Sequence, residues 1–196
     1  MSGFSVFTAA VGRLGEVQLA ATNAVIQAWS VAFMLGFSLS VGATTLVGQC
    51  VGAGLPEQGR TVVRRVLRIG LLLNAVLAVG YLGAPELLMA LFVAPGQAIL
   101  VLPYARPLFM LVTLCLWLDL AYMVFWGALR GAGDTRYSMW VNFGSAWLLL
   151  APGAWWAAPR FGIIGAWLFL AAHLGAMALL TGLRFRGRAW QRLAAA

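Results

Sequence analysis

Asp119 stands in the run LWLDLAYMVFWGALRGAGDT, residues 116–135, with no other charged residue between Arg106 and Arg130. A carboxylate at the centre of an apolar span costs about 2.5 kcal/mol or more when charged. That cost is avoided where the group faces a cavity, pairs with a cation or holds a proton; a functional role is the default expectation, and a protonated aspartic acid bonding a neighbouring helix is the alternative. Helical spacing sets Cys115, Tyr122, Met123 and Trp126 on the face of Asp119, at i−4, i+3, i+4 and i+7. Such a face can line a polar pocket, with aromatic and methionine walls that suit a large apolar cation.

A second aspartate, Asp134, ends the string GAGD at residues 131–134 and invites comparison with intramembrane aspartyl proteases. Two carboxylates that share a proton must lie a few ångströms apart. Fifteen residues along one helix separate them by roughly 22 Å. Asp134 is therefore expected in a turn, capping the following helix or pairing with an arginine. No HExxH, GxSxG or GxxxxGK[ST] string occurs, and the glycines of GQCVGAG follow a helix rather than a strand. No enzyme is expected. Cys50 and Cys115 suit neither a zinc site nor a disulfide framework and read as small apolar packing residues.

His173, central in LFLAAHLGAM, either relays protons or donates one hydrogen bond across a helix interface, and the second reading is the simpler. Asn23, Gln27 and Ser30 follow i, i+4 and i+7 and make a polar stripe that faces a cavity or bonds a neighbouring helix.

Membrane helices must position these groups. The chain of 196 residues is 63% hydrophobic and 9% charged, with a mean hydropathy of +0.92, where soluble domains carry roughly 25% charge. At roughly 20 apolar residues per crossing, the pattern predicts an all-α polytopic bundle forming a single membrane domain over residues 1–196. Five full spans are expected, at about 17–47, 62–82, 108–129, 138–156 and 163–183. Residues 1–12 are apolar but too short to cross, lack the basic start and cleavage site of a signal peptide, and read as the end of a truncated helix. Between Gly83 and Pro103, ELLMALFVAPGQAILVL predicts a short interfacial helix broken at Pro95.

A net charge of +8 would suggest nucleic acid in a soluble protein. Here all 13 basic residues are arginines and most fall in short loops, which is the pattern of membrane orientation and excludes nucleic acid as a partner. If the spans alternate, Arg60, Arg64, Arg65, Arg68, Arg130, Arg136, Arg184, Arg186, Arg188 and Arg192 share one side, against Arg13, Arg106 and Arg160 on the other. The richer side, with the C-terminus, is then cytoplasmic, in a cell inner membrane. Trp155 and Trp156 are expected at the outer interface and Trp190 at the inner one, as an aromatic belt.

GRLGEVQLAA (12–21), FMLGFSLSVGATTLVGQCVGAG (33–54), DLAYMVFWGALRGAGDT (119–135), APGAW (151–155) and GIIGAW (162–167), in that order, resemble the C-terminal half of multidrug and toxic compound extrusion (MATE) transporters. The resemblance implies twelve helices in two six-helix lobes, alternating access, and efflux of organic cations in exchange for Na⁺ or H⁺, with no other cofactor. It also implies a role for Asp119, eight residues before Gly127 of GALRG, where members with a cation site in this lobe carry their acid. Cys115 departs from the tyrosine found there in some sodium-coupled members, and the first helix of the lobe is mostly absent. The chain is then expected to be a fragment or split-gene half, in membrane lipid, that pairs with an N-terminal lobe or with a second copy of itself. A lipid-linked saccharide flippase of the same superfamily is the alternative within transport, disfavoured because no arginine falls mid-span. Outside transport, the alternatives are a non-transporting membrane interaction protein and an inactive remnant.

Overall fold

A computed structural model describes residues 2–93, 99–187 and 190–191. Pro95, Arg188 and Arg192 lie outside the described residues. The described residues form helices α1 (Ser2–Gly12), α2 (Glu16–Gly52), α3 (Pro56–Gly83), α4 (Pro85–Phe92), α5 (Ala105–Gly131), α6 (Thr135–Ser145) and α7 (Ala151–Arg186), with a 3-10 turn at Leu102–Tyr104 and a π-helical turn at Ala146–Leu150 joining α6 to α7. The all-α membrane bundle expected from composition is what forms.

By length and composition four helices can cross a membrane, and the last of them runs continuously over Thr135–Arg186, 52 residues. A straight helix of that length would reach roughly 78 Å, more than twice a hydrocarbon core of about 30 Å. Gly162 resolves this, with φ 63° and ψ −155° in the middle of α7, a conformation open essentially to glycine alone. The chain reverses there. Residues on either side of the turn meet: a β-carbon at Gly165 would lie 3.3 Å from that of Ala157, Gly153 lies against Phe169, Tyr137 Oη donates to the Leu180 carbonyl at 3.1 Å, and Arg184 pairs with Asp134 at 2.7 Å. The two legs, 135–161 and 163–186, are antiparallel spans, so the bundle makes five crossings.

α5 is the central helix and packs on α2, α3 and α7. Its register against α2 is set by small residues. A β-carbon on Gly127 would strike the Ser40 carbonyl, and one on Gly131 would strike that of Thr44, so the GxxxG step brings the two backbones into contact. α3 lies at the edge, burying one stripe (Val63, Val66, Gly70, Asn74, Ala78, Tyr81) while Leu72, Val76 and Val79 face outward. Such an outer face would be a liability in water and is ordinary against lipid. Buried polar groups on the inner stripe are satisfied across helices: Asn74 donates to the Leu116 carbonyl at 2.9 Å and Tyr81 to that of Ala28.

The short helix expected between residues 83 and 103 begins as α4, which buries Met89 and exposes Leu87 and Leu91. Glu86 ties it to α5 through Arg106 at 2.7 Å. Its own backbone N–H, and then that arginine, hold the Glu86 carboxyl below the usual carboxylate range.

Arginines segregate between the two ends. Arg13 and Arg160 sit over Trp155 and Trp156 at 4.5 and 4.7 Å, at the end where both tryptophans are about half exposed. Trp190 departs from the belt expected of it. It is fully buried, stacked on Phe185 at 5.0 Å and donating to the Phe185 carbonyl, because the chain after α7 folds back against the start of α3 instead of facing lipid.

Candidate functional site

Asp119 is 6% exposed and lines a cavity of about 330 Å³ walled by α1, α2, α5, α6, α7 and the π-helical turn. The carboxyl is thus sheltered from bulk water without being sealed in apolar packing. Tyr122 and Met123, one turn on, line the same cavity, as helical spacing predicts. His173, from the second leg of α7, faces Asp119 across it together with Trp29, Ser30 and Asn142.

The polar groups form a partly satisfied ring. Asn142 Nδ2 donates to Tyr122 Oη at 2.9 Å, joining α6 to α5. The indole N–H of Trp29 is buried beside the Asp119 carboxyl without closing a full hydrogen bond. His173 Nδ1 is buried and unpartnered among the described residues, close to the Ser145 backbone. The π-helical turn begins at the residue after Ser145 and sends Ala146 and Leu150 into the cavity; insertions of this kind are frequent at working sites. Around these groups stand Phe4, Phe33, Leu170, Leu174 and Met177. The result is one ionisable carboxyl, two donors without full partners and an aromatic wall.

Four residues singled out by spacing lie elsewhere. Cys115 is fully buried in the apolar core, in one cluster with residues of α2, α5 and α7, and does not line the cavity. Asn23 and Gln27 are exposed and outside the cavity lining, so only Ser30 of their stripe reaches it. Trp126 lines an adjoining cavity of about 420 Å³ that shares Gly3, Asn142 and Ala146 with the first, and its ring face is covered by the Arg130 guanidinium at 4.4 Å. Asp134, expected to cap or to pair, pairs: it makes no side-chain cap but accepts from Arg184. Spacing gave no sign of Trp29 or Asn142, although a lone amide inside YSMWVNFGS is the kind of polar residue that marks a cavity-facing position in a span.

Residues 1–156 match the family model described as MatE, and the chain belongs to that family. It is 32% identical over 189 residues to the multidrug resistance protein MdtK of Yersinia pestis (strain Pestoides F) and 30% identical over 189 residues to that of Yersinia enterocolitica serotype O:8 / biotype 1B. Each match covers 93% of this chain and 41% of the relative, so the chain spans about two fifths of the length of these relatives. A solved structure of a MOP superfamily transporter from Pyrococcus furiosus superposes with a TM-score of 0.75 at 23% identity, covering 92% of this chain and 39% of that one. This likeness bears on the fold alone.

Proposed function

We propose that the chain is one lobe of an antiporter that expels organic cations, and that Asp119 takes up the coupling ion, H⁺ or Na⁺. The placement of Asp119 on the cavity wall carries this reading, supported by relatives that are named multidrug resistance proteins. In the charged state the carboxyl attracts a cation into a cavity whose aromatic faces (Trp29, Phe33, Tyr122) add cation–π attraction. Protonation or Na⁺ binding cancels that charge, so substrate and coupling ion compete for one group. Trp29 and His173, held beside the cavity without full partners, can follow the carboxyl as its charge changes. No arginine is among the described residues lining this cavity, which suits a cation better than a lipid-linked saccharide phosphate. Either an N-terminal lobe or a second copy of the chain closes the open side, with the arginine-rich end in the cytoplasm of an inner membrane.

The test is ion-driven efflux of a fluorescent organic cation from proteoliposomes holding the chain with and without an upstream lobe. Asp119→Asn is expected to abolish efflux under both a pH gradient and a Na⁺ gradient, with Asp119→Glu retaining part. Unchanged efflux in Asp119→Asn would sink the assignment, and the gradient that drives the unaltered protein identifies the ion.

A further inference from the structure

At the arginine-rich end, where α3 begins and α7 ends, a cleft of about 510 Å³ has no part in the reading above. Arg60, Val63, Arg64 and Leu67 line it from α3 at i, i+3, i+4 and i+7, one face that passes from charged at the helix start to apolar one turn deeper. Phe125 and Phe185 form its floor, and Arg186 closes it from α7. Glu57 is the one carboxylate in the lining, against three guanidiniums.

Those guanidiniums are poorly partnered among the described residues. Arg60 Nε is buried without a hydrogen bond, 3.8 Å from Glu57, and its Nη2 reaches the carbonyls of Arg186 and Gly187 only at 3.4 and 3.5 Å. Arg64 is held at 3.4 Å by the Arg60 carbonyl and at 3.3 Å by Thr61. Glu57 is itself shared with Gln191 at 3.1 Å. By contrast, Arg106 and Arg184 each hold a carboxylate at 2.7 Å. Three like charges around one cleft repel one another unless an anion joins them, and guanidiniums grip phosphate oxygens in pairs.

We infer that this cleft binds the phosphate headgroup of an anionic phospholipid, its acyl chains running from Leu67 along Phe125 toward the hydrocarbon. The gradient from arginine to apolar side chain is what distinguishes a lipid from a soluble phosphate, and basic pockets between helices at a membrane surface are built this way.

The test uses the whole chain, delipidated in detergent and titrated with fluorescent phosphatidylglycerol. Binding is expected to exceed that of fluorescent phosphatidylcholine, and to fall at least about tenfold in the triple variant Arg60→Gln, Arg64→Gln, Arg186→Gln. The triple variant Arg13→Gln, Arg106→Gln, Arg160→Gln, at the other end, should bind as the unaltered chain does. Glu57→Gln should bind more tightly, a gain that misfolding does not produce. Equal binding of phosphatidylcholine, no loss in the first triple variant, an equal loss in the second, or unchanged or weaker binding in Glu57→Gln would overturn the proposal. So would displacement of the lipid by inorganic phosphate at equal concentration, which would assign the cleft to a free anion.

Discussion

Thr44 Oγ1 donates to the carbonyl of Gly127 across 2.9 Å, joining α2 to α5 where Gly127 and Gly131 rest directly on α2 backbone. The Ser40 carbonyl of its own helix lies at the same 2.9 Å, so the single hydroxyl proton is shared between the two partners of the seam.

Replacing Gly127 by valine is expected to push the helices apart at that seam. Backbone carbonyls cannot rotate away as side chains can, so the cost should be about 1–3 kcal/mol or more. Thermal unfolding in detergent measures it. Gly144→Ala, which meets nothing within 4 Å, should change stability by no more than about 0.5 kcal/mol.

Arg184→Ala leaves Asp134 nearly buried, at 5% exposure, without its cation. A loss of about 1–3 kcal/mol is expected. Combining it with Asp134→Asn should recover part of that, because the double variant no longer strands a charge. Equal unfolding temperatures for the single and double variants would refute the coupling.

Cysteines placed by Ala157→Cys and Gly165→Cys, with Cys50 and Cys115 replaced by alanine, should form a disulfide under mild oxidation. A β-carbon added at Gly165 would lie 3.3 Å from that of Ala157, close to disulfide spacing once Phe161, 2.6 Å away, gives way. On an unbroken helix eight residues would hold them roughly 12 Å apart. Peptide mass spectrometry distinguishes the two, and an absent cross-link would count against the reversal at Gly162.

Tyr122→Phe removes the acceptor of the Asn142 amide and should cost about 0.5–1.5 kcal/mol. Asn142→Ala added to it should cost little more, since the shared bond is already gone. Additive losses would mean that the two side chains act independently.

Crossings were legible because apolar length is a property of local sequence, and Asp119 because a carboxylate in such a run has few reasons to be there. What periodicity cannot supply is the facing helix. It set Tyr122 and Met123 beside Asp119 correctly, yet gave equal standing to Cys115, which is enclosed in the core. His173 reads as interface glue within its own span, and its place across the cavity from Asp119 depends on the fold of α7. Spacing assigned no helix contact to the GALRG string, although Gly127 and Gly131 stand one turn apart. Their GxxxG spacing was the signal, since small residues one turn apart permit helices to touch.

The reversal at Gly162 also bears on how the molecule is assembled. The last two crossings are sequence neighbours that meet along their whole lengths, so they can associate once both have entered the bilayer, with a short loop to close. The Thr44–Gly127 seam joins positions 83 residues apart. As the chain is synthesised, α2 therefore waits with its glycine-seating groove unfilled until α5 arrives.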